Sequence, residues 1–460
     1  SYGLPMAVSK LISARFAKRQ YRNAGQIFRS SVIISLCTGG AAALILFFGA
    51  GLIENVYKSV TGLAIPLRVL APTILFVAVM GVVRGFFQGQ GTMIPTAVSQ
   101  LIEQIVNAVV SILAGYLLMK AFAASPHVSA YGAAGGTLGT AAGALVGLIF
   151  LTVIYVIYRP VFGKMMKKDS ASEAIPSGEI YKTILLTMAP IIIGQTLYNV
   201  SAVIDDMMYS NMQAVRDTAA TIKTDLGNFS SSYSLLISIP QGIASAMSAS
   251  MLPSVVTSFT EKKYKDVRTK INSTLKTNMF IAVPSFVGLT VLGEPVIKLL
   301  FSRYNSAQGA MMLKIGAIAV VFYTLSTVTS SALQGINRMS VPVKHSFVAL
   351  VIHIILVFSL LKWSRLGIYA IVIGNATFPL LILILNLISL KRYIGFMMEY
   401  VKVFAVPGVC SVIMGIVTWA VYTIVYTLAA SNIIAVIAAL IFAMASYFGP
   451  VFIFRKMGLY

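Results

Sequence analysis

Residues 84–107, RGFFQGQGTMIPTAVSQLIEQIVN, decide the fold. Two apolar spans meet here at a tight Gly/Gln-rich turn. The second span then carries Ser99, Gln100, Glu103, Gln104 and Asn107 into apolar surroundings. Ser99, Glu103, Asn107 and Ser111 are four apart and stack along one helix face. Glu103 lies eight residues past Pro95, roughly 12 Å along a helix axis and so well inside a hydrocarbon core about 30 Å thick. A polar stripe at that depth must face other helices or a water-filled cavity.

The turn recurs. Gln88-Gly89 leads through Met93 to Pro95, and Gln334-Gly335 leads through Met339 to Pro342. At nearly the same offset, Phe16, Tyr21 and Ser30 match Phe259, Tyr264 and Ser273, in both cases within basic loops between apolar spans. Two matches that keep loop type and spacing indicate an internal duplication.

Hydrophobic residues make up 58% of the chain and charged residues 10%, against about 25% charged in a soluble domain. Apolar runs of about 20 residues recur throughout, which predicts an all-α polytopic membrane protein. The net charge of +22 does not point to nucleic acid, because most Lys and Arg sit in alternate short loops. That pattern places the basic loops and the C-terminus in the cytoplasm and makes anionic membrane lipids the partner. Cys37 and Cys410 fall in apolar spans and read as small core residues. No metal or disulfide framework is visible.

The expected organisation is a bundle over 1–158 that lacks its first helix, a cytoplasmic linker over 159–180, a second bundle over 181–393, and two additional spans over 394–460. With the first helix restored, each bundle has six spans, so the repeat is parallel. An upstream helix is expected because the span at 181–211 has no counterpart in the first half.

Lys10 is the one basic residue that falls inside a span; it either snorkels to the interface or serves as a cavity cation. Arg84 ends its span and either pairs with Glu103 or marks the interface. Glu103 is the strongest single candidate, since a mid-span carboxylate is costly unless used or paired. Gln195, Asn199 and Asp206 share one face of their helix; Asp205 lies off it, and both Asp residues are placed near the outer end. His353 reads as a packing or hydrogen-bonding residue. No phosphate loop, HExxH, GxSxG or CxxC motif occurs, and no outer loop is long enough for a catalytic domain, so no enzyme is expected.

The turn RGFFQGQGTMIPTAVSQLIEQ, the opening GLPMAVSKLISARFAKRQYRNA and GIYAIVIGNATFPLL at 367–381 resemble the SpoVB/MurJ-like flippases of the multidrug/oligosaccharidyl-lipid/polysaccharide exporter superfamily. The resemblance implies a MATE-like fold, two six-helix bundles around a central cavity plus two C-terminal helices. It also implies flipping of undecaprenyl-diphosphate-linked oligosaccharides, polysaccharide units or lipid II, across the bacterial cytoplasmic membrane. No cofactor is implied beyond an ion gradient or membrane potential, and cell-wall or polysaccharide synthesis enzymes are the implied partners. On this reading Lys10, Arg84, Gln88, Ser99, Glu103, Gln104, Asn107, Gln195 and Asn199 bind substrate or line the cavity, and Glu103, Asp205 and Asp206 are candidates for coupling. The sequence departs from the pattern in two places. The helix with Ser232 and Leu235 has no Arg, and Asn107 stands where the branch tends to have Arg. Both departures point away from lipid II. The alternatives are a cation-coupled drug exporter of the same superfamily and a non-transporting scaffold in envelope or spore assembly.

Overall fold

The computed structural model describes residues 3–56, 62–169, 175–213, 217–301 and 305–456. The described elements are helices. α1 (Gly3–Ala17), α2 (Tyr21–Val56), α3 (Ala64–Gly89), α4 (Ile94–Ala121) and α5 (Val128–Lys167) come first. α6 (Ser177–Gln213), α7 (Ala219–Asn228) and α8 (Leu235–Thr260) follow, then α9 (Tyr264–Leu300), α10 (Ser306–Gly316) and α11 (Ala319–Gly335). α12 (Ser340–Trp363), α13 (Tyr369–Ile394), α14 (Val406–Ala429) and α15 (Asn432–Lys456) end the chain. Among the described residues 11 helices are long and apolar enough to cross a membrane. α10 and α11 supply a twelfth span if taken together, bent by 46°. The chain is a multi-pass membrane protein.

Two compact units result. One comprises Ser1–Ile192 with Leu252–Thr260, and the other Ile193–Met251 with Glu261–Tyr460. Of the segment 159–180, expected as a linker, residues 170–174 lie outside the described residues. α5 runs on to Lys167 and α6 begins at Ser177, because Lys and Arg are good helix formers and a run of them does not end a helix. In 394–460, where two additional spans are expected, the structure has α14 and α15. α14 and α15 pack on α9 within the second unit, where Cys410, Met414 and Tyr447 form one core cluster with Phe280 and Val287.

The duplication is written in the backbone. After α3, the amides of Gly91 and Thr92 donate to the carbonyls of Gln88 and Phe87 at 2.9 and 3.2 Å. After α11, the amides of Asn337 and Arg338 donate to Gln334 and Leu333 at 3.2 and 2.9 Å. Both turns place one residue in left-handed space, Gly91 at φ 85° and Asn337 at φ 64°. Gly and Asn are the residues that tolerate that region best. The basic turns before α2 and α9 repeat the device with Arg19 at φ 57° and Lys262 at φ 60°.

In the first unit, helices approach through small residues. Gly81, Gly85 and Gly89 of α3 lie against Pro5, Val8, Ser9 and Ile12 of α1. Gly135, Gly139, Gly143 and Gly147 of α5 receive α4 from Gly115 down to Ser99. A Cβ at position 143 would stand 2.5 Å from the Glu103 carbonyl oxygen, so only glycine allows this contact. The opposite side of α4 presents Leu101, Ile105, Ile112 and Tyr116 outward, as a lipid-facing surface requires.

Candidate functional site

The turn at Gln88–Thr92 returns the chain so that α3 and α4 present their polar residues to each other. Arg84, only 6% exposed, donates from its guanidinium to Glu103 at 2.7 Å and to the Ser99 hydroxyl at 3.1 Å. Ser99 in turn donates to the Thr96 carbonyl at 2.8 Å, and Gln88 donates to the Thr96 hydroxyl at 3.4 Å. Two turns past Glu103 on α4, Ser111 sits 2.9 Å from Asn107 Oδ1 and 3.1 Å from the Gly136 carbonyl of α5. The stripe therefore faces helices. Its backbone and side chains fill the glycine groove of α5, which explains how polar groups are held at that depth.

Electrostatically, the Arg84–Glu103 pair is neutral as a whole. Arg84 cannot be a lone cation, and Glu103 cannot be a lone carboxylate. Both charges would be costly here if unpaired. Gln104 is on the exposed side of α4, away from this cluster. Lys10 is buried on α1, at 7% exposure. Its backbone carbonyl accepts from Ser13, and α1 turns its other face to the α3 glycines.

The remaining sites lie in the second unit. Asn199 and Asp206 are exposed positions of α6, and the side chain of Gln195 lies outside the described residues. Asp205, a coupling candidate placed near the outer end and off the face shared by Gln195, Asn199 and Asp206, is the buried one. It is 4% exposed and meets His353 of α12 at 2.8 Å. Both line a polar cavity of about 260 Å³ that Asn199, Gln241, Tyr323 and Asn375 also bound. No single helix could reveal a pair whose members are 148 residues apart. Among the described residues no three His, Cys, Asp or Glu side chains gather as a metal site would need.

A second cavity of the same unit, about 450 Å³, is apolar. Leu236 and Pro240 of α8, Pro284 and Gly288 of α9, Met414 of α14 and Tyr447 of α15 are among its walls. The sequence signal for it was the presence of two spans beyond the repeat, which bring Met414 and Tyr447 against α9.

Comparison with known proteins places these features. The family model described as "Polysaccharide biosynthesis protein" matches residues 1–259, and the MatE family model matches residues 190–359. The lipid II flippase MurJ of Bacillus subtilis (strain 168) is 28% identical over 428 residues, covering 90% of this chain and 77% of that protein. Stage V sporulation protein B of the same organism is 24% identical over 423 residues, covering 90% and 78%. Among solved structures, an outward-facing multidrug resistance MATE family transporter of the MOP superfamily superposes with TM-score 0.66 at 17% identity, over 86% of this chain and 83% of that one. A MOP superfamily transporter from Pyrococcus furiosus gives TM-score 0.65 at 17% identity, over 86% and 84%. The fold is thus MATE-like, the relatives whose names state a role are a flippase and transporters rather than enzymes, and the chain belongs to the polysaccharide biosynthesis protein family of the multidrug/oligosaccharidyl-lipid/polysaccharide exporter superfamily.

Proposed function

We propose that this chain is a flippase that carries undecaprenyl-diphosphate-linked oligosaccharides across the bacterial cytoplasmic membrane by alternating access, with its C-terminus in the cytoplasm. The observation that carries the reading is the apolar cavity between α8, α9, α14 and α15. Drug transport needs only a site for a compact molecule. A polyprenyl carrier needs a long apolar path for its tail beside a hydrated path for its sugar, and helices beyond the twelve-span repeat supply the extra apolar walls. Gly288 adds to this: a Cβ there would meet nothing within 4 Å, so its position along the cavity is open.

The head group is a diphosphate and needs a fixed cation with few compensating anions. Glu103 neutralises Arg84, and we assign the head group to Lys10, the buried basic residue of α1. The basic turns support the orientation, since exposed Lys18 and Arg19 before α2 and exposed Lys262 and Lys263 before α9 suit anionic headgroups of the inner leaflet. Synthesis enzymes that deliver the lipid-linked sugar are the fitting partners. The test is complementation. The chain, expressed in a bacterium depleted of its own lipid-linked-sugar flippases, should restore growth or polymer export. A correctly inserted, stable chain that restores neither would refute the reading.

A further inference from the structure

We propose that the Asp205–His353 pair is a proton-binding site whose occupancy drives the transport cycle, which makes the proton the coupling ion. This deepens the flippase reading and rests on it for its link to transport, but the proton-binding step stands on the pair's own geometry.

His353 is 1% exposed and Asp205 4%, and His353 Nε2 lies 2.8 Å from Asp205 Oδ1. With the carboxylate ionised, Nε2 must carry the hydrogen that it donates. The other ring nitrogen, Nδ1, is then a bare lone pair. It is buried, it has no hydrogen-bond partner, and its residue lines the 260 Å³ polar cavity. A cavity of that size with hydroxyl and amide walls has room for water, which delivers the proton. The ring packs against α13. Phe378 of α13 lies with its centroid 5.4 Å from that of His353, and Gly374 faces the Cε1–Nδ1 edge. A Cβ at position 374 would stand 2.8 Å from Cε1, so glycine there is what admits the imidazole.

The chemistry balances simply. A proton from water adds to the Nδ1 lone pair. The Nε2–H bond stays, still directed at Asp205 Oδ1, and the buried pair changes from net charge −1 to zero. In a membrane bundle that change is large in its effect, because an uncompensated buried charge is far more costly than a matched pair. The pair therefore favours different surroundings in its two states, as a coupling site must. The same geometry disfavours sodium. A sodium ion would have to share the carboxylate with the imidazole, which once protonated repels a cation.

The charged and titratable groups that face the pair are few. Asp206 is adjacent on α6 but exposed, and Tyr323 comes from α11. The lining residues from α8 and α13, Gln241, Asn375, Phe378 and Pro379, carry no charge. Tyr233 reaches the cavity wall by donating to Asn375 Oδ1 at 3.1 Å. It belongs to a π-helical turn at Phe229–Ser234 whose two ends, Phe229 and Ser234, also line the cavity. Such wide turns collect at functional sites. Counted from the matched Pro95 and Pro342, the position of His353 corresponds to Val106, which cannot titrate.

The chain contains three histidines, so the site can be read directly. The full chain in lipid nanodiscs, labelled with ¹⁵N-histidine, would be titrated between about pH 5 and 8, the range in which histidine switches. The expected result is one imidazole that gains a proton at Nδ1. Its signal disappears in His353→Gln, and in Asp205→Asn it stays neutral across the range. Assignment by elimination with His127→Gln and His345→Gln preserves the test if the pocket variants do not fold. In parallel, translocation of a lipid-linked sugar into vesicles should rise about tenfold under an imposed proton gradient, a usual size for coupling between linked sites. That rise should vanish in Asp205→Asn. A His353 that stays neutral throughout, or whose signals respond to sodium and not to pH, overturns the proposal. So does translocation whose response to the proton gradient is the same in Asp205→Asn as in the wild type. A titrating His353 in a protein that moves no lipid-linked sugar refutes the flippase reading and leaves the proton site standing.

Discussion

Removing Glu103 leaves the Arg84 guanidinium buried with one hydrogen bond, to Ser99, in place of two. Breaking a buried ion pair from one side costs about 3–5 kcal/mol. Glu103 is 19% exposed, so the lower end applies and Glu103→Ala should destabilise the first unit by about 3 kcal/mol. Glu103→Gln keeps an acceptor oxygen and loses the charge. The difference between a charge-assisted and a neutral hydrogen bond makes its cost about 1–2 kcal/mol. The double variant Arg84→Met with Glu103→Leu removes both charges and should fall within about 1 kcal/mol of the wild type. Reversible denaturation in mixed micelles measures all three. The double variant also separates stability from transport: if the pair only holds α3 to α4, it translocates normally. A Glu103→Ala protein as stable as the wild type, or a double variant less stable than Glu103→Ala, would refute the reasoning.

Gly143→Ala forces a Cβ to 2.5 Å from the Glu103 carbonyl and should cost about 1–3 kcal/mol as overpacking, read in the same denaturation assay. An unchanged midpoint would mean that α4 and α5 are not in close contact. Gly288→Phe extends into an apolar cavity where nothing opposes a Cβ, so stability should hold while translocation of a polyprenyl-linked sugar falls severalfold. Full translocation in that variant would remove the cavity from the tail's path. Lys10→Gln should lose about tenfold in translocation, equivalent to about 1.4 kcal/mol, and Lys10→Arg should lose less. A fully active Lys10→Gln chain would show that this cation does not meet the diphosphate.

Much of the first bundle was legible in its sequence. Arg84 and Glu103 flank one short turn, so antiparallel helices bring them together with little freedom. Gly91 and Asn337 mark the duplicated turns because left-handed backbone restricts residue choice. The glycines at 135, 139, 143 and 147 carry a sequence signal of their own. Their spacing of four matches that of Ser99, Glu103, Asn107 and Ser111, and the two stripes pack together. The second bundle was harder. A helical wheel ranks Asp205 and Asp206 within α6 alone, whereas burial depends on His353 and Gly374, which arrive from α12 and α13. In the basic segment after Arg159, α5 continues to Lys167, because charge alone does not break a helix.

The most direct test of the central account is translocation by the purified full chain in liposomes, using a fluorescent undecaprenyl-diphosphate oligosaccharide and an impermeant quencher to separate the leaflets. The account predicts protein-dependent movement of the label between leaflets, reduced in Gly288→Phe. Failure of the label to cross in vesicles where the same protein transports a cationic drug would contradict it.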